Sequence, residues 1–200
     1  GYYTALAARA VGPNGKVIAL EPDPESYKYL KQTIAANAVG NVQAFPIAAS
    51  DVSATLPLFV SRDNRGDNRL YRPGANWPKI EVKARPIDAL LAENEIETLD
   101  LIKIDVQGYE PKVIAGLSNT IMRSPKLTLL TEFWPKGIRD AGGDPREFLK
   151  TLQELGLTLH ELKSNGELIE LKDNDDLIAQ HQGRKYTNLV GRKEDHLSQS

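Results

Sequence analysis

The stretch that decides the fold reads DLIKIDVQGYEPKVI and spans residues 100–114. An apolar run from Leu99 ends at Asp105 and is broken at Gly108, which is typical of a short buried strand followed by a turn. Pro111 to Leu117 then predicts a helix, because proline is favoured in the first helical turn. A strand, an acidic turn and a helix in this order indicate one unit of an α/β fold.

The same alternation of strands and helices continues on both sides of this stretch. The predicted strands are Lys16–Leu20, Val42–Ala48, Thr55–Val60, Ile80–Ala84, Leu99–Asp105, Leu127–Glu132, Leu157–Leu162, Glu167–Leu171 and Thr187–Val190. Further helices are predicted at Tyr2–Val11, after Asp23 and after Asp144, two aspartates that we expect to act as N-caps. The pattern therefore predicts an α/β domain with a mostly parallel sheet.

The composition of the chain is that of an ordinary globular domain. Its 200 residues are 40% hydrophobic and 26% charged, so we expect a single domain over residues 1–192 and a polar tail over 193–200. The formal net charge of −2 gives no electrostatic argument for a nucleic-acid partner. No apolar run reaches the roughly 20 residues of a membrane span.

Cysteine and histidine usage argues against metal and thiol chemistry. The chain has no cysteine, which excludes disulfides, thiolate metal sites and a cysteine nucleophile, and it fits a reducing, cytoplasmic location. None of the three histidines has a second ligand at metal spacing, so we expect no metal site. The acidic run at residues 172–176 is interpreted as a solvated turn, since it lacks the glycine and late glutamate of a calcium loop.

Acidic residues follow four of the predicted strands: Glu21, Asp51, Asp105 and Glu132. In doubly wound sheets, ligands bind at the carboxyl ends of the strands. A carboxylate at the end of the second strand of such a fold can accept hydrogen bonds from both hydroxyls of a ribose. For Glu21 the alternative is a plain structural role, in which it caps the next helix or faces solvent.

A long polar segment, residues 61–79, separates two predicted strands. It carries four arginines, at positions 62, 65, 69 and 72, together with Tyr71 and Trp77. Connections of this length inside a compact domain are functional loops or disordered ones. A lid that contacts substrate and a plain surface loop are both compatible with this composition.

The chain resembles the FkbM family of S-adenosylmethionine-dependent methyltransferases. The most specific match is residues 100–114, in which Gln107 stands where the family usually has Glu. Weaker matches are Gly1-Tyr2-Tyr3-Thr4, the strand and acid at Val17–Pro22, the turn at Ala48–Asp51 and the closing strand Asn188–Val190. The family's first strand and glycine loop would precede Gly1.

The resemblance implies a fold, a cofactor and a set of site residues. The fold is a Rossmann-like class I methyltransferase, a three-layer sandwich whose first strand is missing at the N-terminus. The cofactor is S-adenosylmethionine, with contacts implied for Gly1, Thr4, Glu21, Ser50, Asp51 and Asp105. Gly1 would end the loop that passes the cofactor's amino-acid moiety, and Glu21 would hold the ribose. Ser50 and Asp51 would lie beside the adenine, and Asp105 would face the methionine end.

The implied reaction is transfer of a methyl group to an oxygen, on a hydroxyl of a sugar, glycan or polyketide-type acceptor. The methyl donor is already activated, so the protein has to align the acceptor and remove its proton. Asp105 is the leading candidate for that role, followed by Glu132 and Glu110. As structural alternatives, Asp105 could cap the helix near Pro111, and Glu110 could be a first-turn acid that favours the helix dipole.

Two other functions remain open on the sequence alone. A nicotinamide-dependent oxidoreductase also binds ribose through an acid after its second strand, although residues 1–200 contain no G-x-G-x-x-G motif. A non-catalytic, truncated or degenerate binding domain is the other alternative. If the first strand is absent, the strands at Lys16 and Leu101 should flank a gap instead of pairing directly, and we expect the fragment alone to be a poor enzyme.

Overall fold

The computed structural model describes residues 1–193. Its helices are α1 (Tyr2–Ala10), α2 (Pro24–Ala36), α3 (Ile87–Glu93), α4 (Glu110–Ala115), α5 (Ser118–Arg123), α6 (Pro135–Asp140), α7 (Pro145–Glu154) and α8 (Asn174–Gln180). Its strands are β1 (Val17–Leu20), β2 (Val42–Phe45), β3 (Ala48–Ala49), β4 (Ala54–Phe59), β5 (Lys79–Arg85), β6 (Leu101–Ile104), β7 (Leu127–Phe133), β8 (Thr158–Leu162), β9 (Leu168–Glu170) and β10 (Thr187–Lys193). The chain is therefore an α/β protein, as expected.

The strands form three sheets with mixed pairing. A five-stranded sheet has the order β6-β7-β10-β8-β9, a three-stranded sheet the order β3-β5-β4, and β1 pairs with β2. The pairs β1–β2, β3–β5 and β6–β7 are parallel, whereas β10 runs antiparallel to both β7 and β8. The expectation of a mostly parallel sheet is corrected accordingly, because β10 inserts between β7 and β8 in the opposite direction.

The strands β1 and β6 lie in different sheets and are not paired with each other within residues 1–193. The prediction that they would not close up directly is confirmed. One contact near this region joins α1 to β6, where the Lys103 ammonium lies 4.5 Å from the centroid of the Tyr3 ring.

The main core lies between the five-stranded sheet and its helices. Alternate residues of β7 are buried, and Leu129 and Phe133 are fully covered. Ile114 of α4 and Leu149 of α7 belong to the same cluster. A smaller cluster that includes Leu58 lies on the β3-β5-β4 sheet, next to the site described below.

Aspartates begin three of the helices. Asp23 accepts the Glu25 N–H at 3.3 Å and Asp144 accepts the Arg146 N–H at 2.7 Å, so both predicted N-caps are confirmed. Asp173 does the same for α8, accepting the Asp175 N–H at 2.7 Å. The expected solvated turn at 172–176 is thus a helix start, a correction that the N-cap aspartate and the two acids in the first turn could have signalled.

Two further expectations change at the ends of elements. The single strand expected at Val42–Ala48 is divided into β2 and β3 around Pro46, which has no N–H to donate to a ladder. Lys193, expected in the polar tail, is the last residue of β10 and pairs with Leu127. The rest of the expected tail, 194–200, lies outside the described residues. No helix within 1–193 is both long and apolar enough to cross a membrane.

Candidate active site

A cavity of about 240 Å³ lies at the carboxyl ends of β1 and β6. Its lining residues are Leu20, Glu21, Pro22, Ile47, Ala48, Ala49, Leu58, Arg65, Gly66, Asn68, Leu70, Asp105 and Val106. Two of the strand-end acids, Glu21 and Asp105, therefore face the same space. A larger groove of about 620 Å³ lies near the amino ends of β1 and β2, but its charged lining residues, Arg9 and Lys16, are both basic.

Glu21 is partly buried where β1 ends. Its Oε1 accepts the backbone N–H of Asp23 at 2.9 Å, while Oε2 has no hydrogen-bond donor in the described part of the chain. Burial raises the pKa of Glu21, and the hydrogen bond from the Asp23 N–H opposes that rise. Glu21 thus has both the helix-start contact considered from the sequence and one oxygen free for a ligand.

Ser50 and Asp51 lie beside the cavity, directly after the lining residues Ala48 and Ala49. The buried Ser50 hydroxyl lies 3.2 Å from both Asp51 Oδ1 and the Tyr109 hydroxyl. Asp51 Oδ2 accepts a hydrogen bond from Lys112 Nζ at 2.8 Å. Burial opposes ionisation of Asp51, but its hydrogen bonds hold its pKa below the usual value, and the bond from Lys112 contributes most. The carboxylate expected beside adenine is therefore shared with a lysine of α4.

Tyr109 and Lys112 are site residues that the sequence did not single out. They reach Ser50 and Asp51 because α4 ends very close to that segment: a Cβ added at Gly116 would lie 1.9 Å from the Ser50 carbonyl oxygen. The glycine at position 116 is a sequence signal that another part of the backbone comes close. Its partner, Ser50, lies 66 positions earlier, and periodicity does not predict a contact between them.

Asp105 is half exposed, with 47% of its side chain accessible. It accepts hydrogen bonds from Lys103 Nζ and from Gln107 Nε2, each at 3.1 Å. It does not cap α4, so the structural alternative for this residue is wrong. The amide of Gln107, the residue that departs from the family pattern, contacts Asp105 directly.

Glu110 holds the turn between β6 and α4. Its buried carboxylate accepts the N–H groups of Val106 at 3.1 Å and Gly108 at 2.9 Å. Burial raises its pKa to about 7. Gly108 has φ +103°, and a Cβ there would lie 2.4 Å from the carbonyl carbon of Gly137, so only glycine fits. Glu110 is thus a structural residue of the site, with both oxygens occupied.

Glu132 lies on β7 opposite Asn188 of β10 and is partly buried. Burial, and after it the negative charge of Asp105, raise the pKa of Glu132 to about 7. Within residues 1–193 its carboxylate has no hydrogen-bond donor. The structure therefore brings Asp105 and Glu132 within electrostatic reach of each other, with Glu132 the less solvated acid.

Gly1 and Thr4 lie at the start of α1. Gly1 is the N-cap residue, and a Cβ there would lie 2.7 Å from Thr33 of α2, so α1 begins in close contact with α2. Thr4 is partly buried in the first turn, and its hydroxyl makes no hydrogen bond to any described residue. Neither residue lines the cavity.

The segment between β4 and β5 is anchored over the cavity. A 3₁₀ turn at Arg65–Asp67 places Arg65 in ion pairs with Asp23, at 2.6 Å, and with Glu25. Further on, the Tyr71 hydroxyl donates to the Gln107 carbonyl at 2.9 Å. Since this segment contributes Arg65, Gly66, Asn68 and Leu70 to the lining, it covers the site and is more than a surface connection.

No group of three or more His, Asp or Glu in the described residues is placed to hold a metal ion. The cavity instead presents carboxylate oxygens to groups that donate hydrogen bonds, such as hydroxyls and amines.

Comparison with known proteins finds three methyltransferases that are similar to this chain. Methyltransferase sdnD from Sordaria araneosa is 26% identical over 157 residues, covering 64% of this chain and 61% of that protein. Hexuronic acid methyltransferase AglP from Haloferax volcanii is 25% identical over 167 residues, covering 83% and 62%. The 2-O-methyltransferase NoeI from Sinorhizobium fredii is 27% identical over 128 residues, covering 56% and 51%. The chain thus spans roughly half to three fifths of the length of these relatives.

The fold and the family agree as well. The crystal structure of methyltransferase FkbM from Methylobacillus flagellatus KT matches with a TM-score of 0.52 and 14% identity, covering 88% of this chain and 36% of that one. At this identity the likeness shows a shared fold, which confirms the Rossmann-like fold class. The family described as Methyltransferase FkbM domain matches residues 1–159. The chain therefore belongs to the FkbM methyltransferase family.

Proposed function

We propose that the protein is an S-adenosylmethionine-dependent O-methyltransferase that acts on a hydroxyl of a sugar, glycan or polyketide-type acceptor. The observation that carries the proposal is the placement of Glu21 and Asp105 on one cavity, at the carboxyl ends of β1 and β6. Nucleosides bind at such strand ends in Rossmann-like folds. The names of two relatives, a hexuronic acid methyltransferase and a 2-O-methyltransferase, support a sugar-like acceptor and an oxygen nucleophile.

The residues present suit this cofactor. Glu21 keeps one carboxylate oxygen without a donor, as a ribose hydroxyl requires. Ser50 and Asp51 would hold the adenine, with Lys112 fixing the Asp51 carboxylate. Asp105 would receive the methionine end, and Gly1 and Thr4 would border the amino-acid moiety.

When bound, the cofactor supplies a methyl group on a sulfonium, whose carbon–sulfur bond breaks as the acceptor oxygen takes the methyl. The protein has to remove the hydroxyl proton, and we assign this step to Glu132. A carboxylate whose pKa is raised to about 7 is half ionised at neutral pH, which suits a general base. Asp105, half exposed and bonded to Lys103 and Gln107, orients the reactants and keeps Glu132 basic through its charge.

The test is a transfer assay with the full-length protein and isotopically labelled S-adenosylmethionine, on pooled glycans and small hydroxylated metabolites. We expect label in an O-methylated product, and loss of that label in Asp105→Ala and Glu132→Gln. Binding of a nicotinamide cofactor in place of S-adenosylmethionine would indicate the oxidoreductase. Absence of any nucleoside binding would indicate a non-catalytic domain.

A further inference from the structure

Arg69, in the segment between β4 and β5, is surrounded by aromatic rings. Its guanidinium carbon lies 4.8 Å from the ring centroid of Trp134, 5.6 Å from that of Trp77 and 5.7 Å from that of Tyr71. Its guanidinium donates a long hydrogen bond, of 3.4 Å, to the Tyr71 hydroxyl. Within residues 1–193 no carboxylate pairs with it, and its Nε is buried without a partner.

Two of the rings around Arg69 are held by hydrogen bonds near the end of the sheet that carries the proposed base. Tyr71 is tied to the turn after β6 through the Gln107 carbonyl, at 2.9 Å. Trp134 follows β7 directly, and its indole N–H donates to the Gly183 carbonyl at 2.9 Å. Asp105 and Glu132 lie at these same strand ends, Asp105 directly after β6 and Glu132 one residue before the end of β7.

Arg69 and Glu132 carry opposite charges and influence each other, yet they form no ion pair. Both side chains are partly buried. A partly desolvated charge is costly when it has no counterion. Two such groups near the same strand ends, neither with an ion-pair partner in the described chain, suit a ligand that presents an anion to one and a hydroxyl to the other.

The chemistry of the cluster selects a class of ligand. A planar guanidinium binds a carboxylate through two parallel N–H···O bonds, which a lysine cannot reproduce. Indole rings offer flat apolar surfaces with a polar edge. A sugar ring that carries a carboxylate matches both features.

We propose that Arg69, with Trp77 and Trp134, forms the acceptor subsite for the carboxylate of a uronic acid and directs a neighbouring hydroxyl toward Glu132. This inference rests on the proposed methyl transfer for its biological meaning. Under this proposal Arg69 binds the substrate. In the structural alternative, Arg69 would only hold the segment between β4 and β5 against Trp134.

Calorimetry separates these roles. p-Nitrophenyl β-glucuronide and the matched neutral β-glucoside are titrated into the full-length protein, with and without S-adenosylhomocysteine. We expect the glucuronide to bind at least about tenfold more tightly, as a charge-assisted bidentate pair implies. Arg69→Gln should remove this preference while the glucoside affinity stays unchanged, and Arg69→Lys should retain only part of it. Arg72→Gln, an exposed arginine of the same segment, is the control and should behave as the unaltered protein.

The inference is overturned if the unaltered protein does not prefer the glucuronide. It is also overturned if Arg69→Gln lowers the affinity for both ligands equally, the result expected if Arg69 only holds the segment against Trp134. Thermal unfolding of each variant shows whether it is folded. If the Arg69→Gln protein is unfolded, the partial loss of preference expected for Arg69→Lys still tests the inference. A glucuronide preference without S-adenosylhomocysteine binding would support the anionic subsite and refute the proposed methyl transfer.

Discussion

Glu110 is fully buried and Glu132 is partly buried, and burial raises the pKa of each to about 7. Their roles are set by their hydrogen-bond partners. Glu110 has both oxygens committed to backbone N–H groups of the turn, whereas Glu132 has no donor within residues 1–193. A raised pKa therefore identifies a base only when the carboxylate is free to take a proton from a ligand.

For Glu132→Gln we expect kcat of methyl transfer to fall about 10²–10⁴-fold, the usual contribution of a general base. In the unaltered protein kcat should rise as pH increases through about 7, because the base acts in its deprotonated form. That rise should be absent from the residual activity of the variant. Glu170→Gln, an exposed acid of β9, is the control; a Glu132→Gln enzyme with the unaltered pH profile would rule this residue out as the base.

For Glu110→Gln we expect a loss of about 1–3 kcal/mol in the free energy of unfolding, since one backbone N–H is left without an acceptor. A carboxyl whose pKa is raised by folding stabilises the protein at low pH and loses that contribution as pH rises from 4.5 to about 7. The difference between the two proteins should therefore be larger at pH 5 than at pH 7 in urea unfolding. A difference that grows with pH would contradict the assignment.

Among the elements, the segment between β4 and β5 is the one whose role the sequence left undecided. Its anchors join residues that are distant along the chain: Arg65 meets Asp23, 42 positions earlier, and Tyr71 meets Gln107, 36 positions later. No local pattern encodes such contacts. The helix start at Asp23 was predictable, because a capping aspartate before proline is a local signal.

For Asp23→Ala we expect the segment to detach from α2. Burial opposes ionisation of Asp23, but hydrogen bonds from Ser26 and Arg65 hold its pKa below the usual value, so the carboxylate anchors Arg65 at neutral pH. Trypsin should then cleave within residues 62–72 faster than in the unaltered protein. Asp144→Ala removes a helix cap with no segment attached, costs about 0.5–2 kcal/mol, and should leave this cleavage rate unchanged. Equal rates in all three proteins would contradict the anchoring role.

At the scale of the whole molecule, the strands β1 and β6 present their carboxyl ends to one cavity although they belong to separate sheets. The sequence predicted the alternation of elements, and hence an α/β fold with acids at the strand ends. It did not predict mixed sheets, because the insertion of β10 between β7 and β8 is a pairing of distant segments.

The sheet arrangement predicts uneven protection from hydrogen exchange in the chain of residues 1–200. Amides of β1 and β2, in a two-stranded sheet, should exchange faster than those of β10, which is paired on both sides. Exchange with mass-spectrometric detection measures this on peptides from each strand. Equal protection of β1 and β10 would show that β1 is held by pairing beyond that seen here.

The central claim is that the acids at the strand ends bind a nucleoside cofactor, and calorimetric titration of S-adenosylmethionine into the full-length protein tests it most directly. We expect binding, weakened about 10–100-fold in Glu21→Gln, because a hydrogen-bonded carboxylate contributes about 1.5–3 kcal/mol. Glu97→Gln, an exposed acid before β6 at the opposite end of that strand, should bind as the unaltered protein does. Equal affinity in the Glu21→Gln protein, or no binding in the unaltered one, would contradict the account.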